Sequence, residues 1–279
     1  MEDSIFTQVF GEVLQQNSTA IVWQRGSRVI LQPLKSWSPA TARVASRFGV
    51  KALSLHVDLS WADTSLSFLE RLPQLEALVL SGPGAINWSK VESLTSIRDL
   101  YLNCYVGTPG EINLSGLAKL KVANINSLEQ WDSILACRSL RVLSIREVFK
   151  LKTLNLTKLK SLRELAIIDS PSIEDVELAR GAKLKALRIS KSKRVKPPWG
   201  RIRRELEYLT LDGRLGFPLS EVRHAENLKR IELFQQGMIS LAPLRRLSKL
   251  KKIAPGWGTK FNRADANWLA DFYDQHGAP

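Results

Sequence analysis

The chain has 279 residues, 44% of them apolar, and 41 Lys plus Arg against 27 Asp plus Glu, a formal net charge of +14. That length allows one or two domains, and the apolar content is ordinary for a folded chain, which excludes a disordered polar segment. No run of about 18 apolar residues occurs, which excludes a helical membrane span. The opening MEDSIFTQVFGEVLQQ lacks a basic n-region, so no secretory signal is expected. Only Cys104 and Cys137 are present. With no Cys-rich cap, this points to a reducing, intracellular and cytoplasmic setting.

In chain order, residues 3–15 read as a helix. Asp3 or Ser4 can cap it, and Ile5, Phe6, Val9, Phe10, Val13 and Leu14 make one apolar face. AIVW and RVIL, on either side of Arg25-Gly26-Ser27, read as a short hairpin. Ser38 before Pro39 is an N-cap and first-turn pair, and Gly49 ends the helix it starts. Residues 1–49 are therefore expected to form an N-terminal cap.

The centre of the chain repeats itself. Leu140–Ser161 and Leu162–Lys183 are two copies of one 22-residue phrase that opens L-x-x-L-x-I. Further copies open at Val50, Leu75, Ile97, Leu120, Leu184, Leu206, Leu228 and Leu250. From each opener but the last, the fourth and sixth positions are both apolar, as in Leu143/Ile145 and Leu165/Ile167; the last copy breaks, with Ile253 followed by Pro255. Such alternation predicts a short strand with one buried face. One repeat alone cannot bury its apolar rows, so neighbours must stack into a solenoid.

These residues resemble the leucine-rich-repeat family, whose core motif is L-x-x-L-x-L in units of 20–29 residues. The resemblance covers roughly residues 50–257. It implies an α/β solenoid with a parallel sheet on a concave face, and helical caps at both ends. The family's frequent Asn or Cys at the ninth position is missing; Val148, Ser170 and Ser192 stand there instead. The turns after the strands must satisfy their amides in another way. The solenoid is expected over 50–258 and a capping helix over 259–279, with Asn262 as N-cap, Trp268, Leu269, Phe272 and Tyr273 as apolar face and Gly277 as stop.

Little here can carry catalysis. His56, His224 and His276 are far apart in repeat register, the cysteines lack C-x-x-C spacing, and no phosphate-binding or nucleophile motif occurs. No enzyme, cofactor or metal is expected. The informative surface is the strand face opposite the core, where partners of leucine-rich repeats usually bind. Positions three, five and seven point outward. They include Tyr101, Asn103, Asn124, Asn126, Arg146, Arg188, Tyr208, Asp212, Arg230, Glu232 and Phe234. This mixture of aromatics, Arg and amides suits a protein interface.

A second candidate is charge. Position two carries Lys or Arg in eight of ten repeats; Glu76 and Glu207 are the exceptions. Residues 183–204 hold ten Lys plus Arg and no acid. Within them Lys191, Lys193, Arg194, Lys196, Arg201, Arg203 and Arg204 are the candidate anion-binding set, for nucleic acid or a protein with an acidic surface. The first reading is a protein-recognition scaffold; polyanion binding is the alternative.

Overall fold

The computed structural model describes residues 12–16, 18–25, 28–56, 66–82, 89–104, 112–126, 131–214, 217–235 and 237–279. The chain divides into two compact units, Met1–Leu140 and Arg141–Pro279.

In the first unit, strands β1 (Glu12–Gln16), β2 (Ala20–Arg25) and β3 (Arg28–Pro33) form an antiparallel meander. The β2–β3 hairpin is the one expected from sequence. The helix expected over 3–15 is corrected at its C-terminal end, where β1 pairs with β2 and Val13 is 56% exposed; residues 3–11 lie outside the described residues. Helix α1 (Pro39–Arg47) begins as expected, with the Ser38 hydroxyl accepting from the Thr41 N–H at 3.1 Å. Gly49 takes φ +58° just beyond it. That left-handed turn is cheap for glycine alone.

The meander feeds the repeats directly. β3 pairs in parallel with β4 (Ala52–His56), which sets Leu31 beside Leu53. β5 (Ala77–Gly82), β6 (Asp99–Cys104) and β7 (Val122–Asn126) follow in parallel, each beginning two residues after its opener. The register absorbs the uneven spacing, because Leu53, Leu78, Leu100 and Ala123 stand side by side and all are buried. The chain returns through 3₁₀ turns at Ser67–Arg71 and Leu114–Gly116 and the short helices α2 (Ser89–Glu92) and α3 (Trp131–Ile134).

The second unit builds its main sheet from β8 (Val142–Arg146), β10 (Glu164–Ile168), β12 (Ala186–Ser190), β13 (Tyr208–Asp212), β14 (Arg230–Phe234) and β16 (Lys252–Pro255), all parallel. Leu143, Leu165, Leu187, Leu209, Ile231 and Ile253 line up across it, none more than 3% exposed. Two return arms are strands, β9 (Thr153–Leu156) and β11 (Asp175–Leu178), which pair in parallel with each other. Their Leu154/Leu156 and Val176/Leu178 are buried and the residues between are exposed. Later arms use α4 (Trp199–Ile202) and 3₁₀ turns at Leu219–His224 and Ala242–Arg246. β15 (Gly237–Ile239) pairs with β17 (Thr259–Phe261).

The turns after these strands show how amides are satisfied without an Asn ladder. Position eight is left-handed in four successive repeats: Glu147 at φ +58°, Asp169 at +46°, Lys191 at +49° and Gly213 at +84°. Each N–H still donates sideways, to Ile168, Ser190, Asp212 and Phe234 carbonyls at 2.8–3.1 Å. The next amide goes to serine. Val148 N–H donates to Ser170 Oγ at 3.2 Å, and Ser170 N–H donates to Ser192 Oγ at 3.0 Å. Those hydroxyls donate in turn to the Ile168 and Ser190 carbonyls. Serine thus does the double duty that an amide side chain would do.

Helix α5 (Arg263–His276) covers the last coil, capped by Asn262 accepting from Asp265 N–H at 2.8 Å and stopped at Gly277 as expected. Phe272 is buried, the Tyr273 hydroxyl donates to the Ile253 carbonyl at 3.0 Å, and buried Asp265 takes Arg245 at 2.8 Å.

Two stability predictions follow from the stacking. Leu165→Ala removes a side chain packed between Leu143 and Leu187, and urea unfolding should show a loss of about 2–5 kcal/mol; a loss under roughly 0.5 kcal/mol would mean that the site is not packed in this register. Ser170→Ala strands the buried Val148 N–H, and the same measurement should show about 1–3 kcal/mol, restored in part by Ser170→Thr.

Candidate functional site

The strands alternate, so every second side chain leaves the core. In the first unit the outward row is shallow. Tyr101, Asn103 and Asn124 are half-buried, while Asp99 is 6% exposed beneath an ion pair with Arg28. Asn126 is only 1% exposed, and neither of its amide atoms has a hydrogen-bond partner among the described residues. Alternation placed it outward, but depth removes it from a contact surface. His56, at the same position on β4, is exposed and shares a 3.2 Å hydrogen bond with Ser81.

The outward row of the second unit is larger and more ordered. On β8 and β10 it has a floor of short or apolar residues: Ser144, Ala166 and Ile168 are all under 9% exposed. Arg146 stands beside Ile168, and Arg188 beside Ala166, in the strand register. Both arginines are half-buried, with Nε atoms out of contact with water. Long arginine stems can cover apolar floor in this way.

Further along, polar neighbours hold one another. Ser190 Oγ donates to Asp212 at 2.6 Å, Thr210 Oγ1 donates to Glu232 at 3.1 Å, and Arg230 forms an ion pair with Glu232. Tyr208 is half-buried beside Arg230 and Ala186. Phe234 is 41% exposed, yet its ring lies against Gly256: a β-carbon there would meet Phe234 Cδ1 at 2.0 Å. Glycine is required at 256 by space, since any side chain would displace the ring. Two residues that sequence reasoning missed share this end of the strands, Trp257 at full exposure and Met238 at 68%. The available signal was an apolar residue in the segment that follows each of β14 and β16.

The seven residues of the anion-binding set are carried by three stretches of one coil. Lys191 sits in the turn after β12, where its backbone continues the ladder. Lys193, Arg194 and Lys196 line a shallow 270 Å³ depression with Glu174, which pairs with Arg194 at 3.6 Å. Arg201, Arg203 and Arg204 lie in and after α4, on the approach to β13. The segment runs from the turn after β12 through α4 to the approach to β13. Trp199 packs edge-on to Phe217 at 5.6 Å, so it is not a free stacking platform.

The two acids at position two are explained by their neighbours. Glu76 lies between Lys51 and Arg98, at 3.3 and 3.6 Å, and Glu207 between Lys185 and Lys229, at 2.9 and 2.6 Å. Hydrogen bonds from Lys229 and then Lys185 lower the Glu207 pKa, and Glu207 raises that of Lys229. The contact is complete between those two titrations. Acid removes it by protonating the carboxylate, and alkali by deprotonating the ammonium.

Ten repeat strands, four in the first unit and six in the second, begin two residues after their apolar openers and pair in parallel. The fold is a leucine-rich-repeat α/β solenoid. Solved structures similar to this chain include the internalin InlF from Listeria monocytogenes, 14% identical over 81% of this chain and 70% of that one, with a TM-score of 0.46. The functional domain of InlJ from Listeria monocytogenes is 14% identical over 78% of this chain and 51% of that one, at a TM-score of 0.41. A chain of the LRIM1/APL1C complex is 13% identical over 76% of this chain and 36% of that one, at 0.34. No family model and no curated protein matches the sequence. The likenesses are distant, and the repeat register of the chain itself carries the assignment.

Among the described residues no helix is long and apolar enough to cross a membrane, and no group of three or more His, Cys, Asp or Glu could hold a metal ion. The Cys104 side chain lies outside the described residues. Cys137 is fully buried, its thiol donates to the Leu114 carbonyl at 3.3 Å, and burial pushes its pKa up to about 11. Iodoacetamide at pH 8 should therefore leave Cys137 unmodified in the native protein and label it after unfolding, as read by peptide mass spectrometry. Rapid native labelling at Cys137 would contradict the packing.

Proposed function

We propose that this chain is a non-enzymatic protein-recognition scaffold that binds a protein partner on the outward strand face of its second unit. The observation that carries the reading is the ordered row there. Arg146, Arg188, Tyr208, Asp212, Arg230, Glu232 and Phe234 stand on rigid strands, none fully buried, and several are fixed by their neighbours. Aromatic and arginine side chains dominate binding energy at protein interfaces. Anchors held in place before binding lose little conformational entropy on contact. Trp257 and Met238 extend the apolar end of this row beyond Phe234.

The compartment supports the same reading only as an expectation from cysteine usage. The partner's own face would be mixed. An acidic patch meets Arg146 and Arg188, and an apolar side chain meets Phe234 and Trp257.

The test is affinity capture from native extract with the wild-type chain and with Tyr208→Ala and Phe234→Ala, followed by titration of the captured partner. Each truncation should cost on the order of 2 kcal/mol of binding, and moderate salt should change affinity little. A partner bound equally well by both variants and by Arg188→Ala would sink the proposal.

A further inference from the structure

The +14 charge of the chain is not shared between its units. Residues 1–140 hold 12 Lys plus Arg and 12 Asp plus Glu, a net charge of zero. Residues 141–279 hold 29 Lys plus Arg and 15 Asp plus Glu, so all of the excess lies in the second unit. Within that unit the charge is directional. In each coil the six residues from position nineteen to position two lead from the return arm into the next strand. Those five windows, 158–163, 180–185, 202–207, 224–229 and 246–251, together hold 12 bases and 3 acids. The matching six residues after each strand, 147–152, 169–174, 191–196, 213–218 and 235–240, hold 7 bases and 3 acids.

The windows are stacked by the backbone. Arg163, Lys185, Glu207, Lys229 and Lys251 N–H groups each donate to the position-two carbonyl of the preceding coil at 2.7–2.8 Å. The turns before them also touch. Asn227 donates to the Arg204 carbonyl and accepts from Lys249 Nζ. The position-two row of this edge is therefore a comb with a cation on five of its six rungs and Glu207 on the other, about 4.8 Å apart and about 24 Å long from Arg141 to Lys251. Among the described residues, Lys185 and Lys229 are the edge cations that spend their charge internally, on Glu207. Lys158, Lys160, Arg180, Lys183, Arg203 and Arg204 are exposed and have no ion pair among the described residues.

We propose that this edge of the second unit is a binding surface for the phosphate backbone of duplex nucleic acid. It is separate from the protein-recognition face, since the position-two residues and the turns before them precede the outward row of each strand. The composition of the edge selects the partner. Every Leu, Ile and Ala in the five windows is buried, so no apolar side chain is available to enter a bilayer. The windows contain no Phe, Trp or Tyr, so there is no platform for unpaired bases to stack on. What the edge offers is charge on a fixed spacing. A rigid duplex meets it with phosphates already in place, whereas an acidic peptide would pay to become ordered. Binding through phosphates alone reads neither sequence nor sugar. At about 3.4 Å per base pair, the comb spans about seven pairs.

The experiment is fluorescence anisotropy of labelled 20-base-pair duplexes against the full chain. DNA and RNA duplexes, of scrambled sequence, should bind within about threefold of each other, with a slope of log affinity on log salt of about −4 or steeper. One variant removes four charges from the edge, Lys160→Gln, Lys183→Gln, Arg203→Gln and Arg204→Gln. A control removes four from the other side of the coil, Lys191→Gln, Lys193→Gln, Arg194→Gln and Lys196→Gln. All eight side chains are exposed, and unchanged thermal melting would show that both variants fold. The edge variant should lose at least 30-fold in affinity and the control less than threefold. Equal losses would reduce the effect to net charge and overturn the site. Tighter binding to acidic lipid vesicles or to a poly-glutamate peptide than to duplex would overturn the partner. Failure of the Tyr208→Ala and Phe234→Ala test leaves this result untouched, because neither residue is on the edge.

Discussion

Everything in this protein depends on the lateral hydrogen bond between one coil and the next. A coil of 22 residues has no ladder of its own. Its strand amides, its position-two amide and its turn amides all find their acceptors one repeat away, as Arg163 does at Arg141, Asp169 at Ser190 and Glu174 at Lys152. Burial follows the same rule, since Leu165 is enclosed only because Leu143 and Leu187 flank it. Side-chain order is a by-product. Once the rungs are fixed, Ser190 must meet Asp212 and Lys185 must meet Glu207, each 22 positions on. Within the second unit the outward strand row and the basic edge are therefore consequences of one constraint, seen from two directions.

The register also explains a cost the structure accepts. In the four repeats from Leu140 to Leu206 the ladder is carried one residue past the strand, and the chain then turns through a left-handed position eight. Glycine is ideal there, yet of these four only Gly213 supplies it; Glu147, Asp169 and Lys191 bear a strain of about 1 kcal/mol each. Those three positions point charged side chains off the turn. Glu147, Asp169 and Lys191 line a shallow 310 Å³ depression with Phe149 and Pro171. Side chains there give the turns a chemical surface that glycine would erase.

Most of the fold was legible in the sequence because the repeat is a physical period. Each opener marks a strand two residues later, and even the uneven intervals near Leu75 and Leu120 are absorbed without a slip. What failed was whatever tertiary pairing decides. Val13 and Leu14 fit a helical stripe, but Val13 pairs with Trp23 of β2, Leu14 falls at the register shift beside it, and both stay exposed, because pairing along the edge of the meander outweighs local periodicity. The site was half legible. Alternation gives the direction of a side chain and says nothing of its depth, so Asn126 and Tyr208 looked equivalent and are not. Lys191 to Arg204 is a run in sequence that spans the turn after β12, the return arm and α4. In a solenoid, neighbours in space are one period apart, and the basic edge emerges only when the chain is read in steps of 22.

That last point bears on how a strongly basic solenoid avoids repelling itself. A comb of cations 4.8 Å apart is unfavourable unless solvent and salt screen it or acids interrupt it. The position-two row uses both. Glu207 sits between two lysines and holds them, so the row has a neutralised stretch in its middle. On either side, the charges are carried by long side chains at the surface, where water screens them and their heads can splay apart. Residues 1–140 show the contrasting solution, with as many acids as bases, and with Glu76 placed between Lys51 and Arg98. The first unit had the same repeat, the same position-two preference and the same device, and came out neutral. The excess in the second unit is thus not a by-product of the repeat, and a surface that tolerates its own repulsion is one that a polyanion would stabilise by binding.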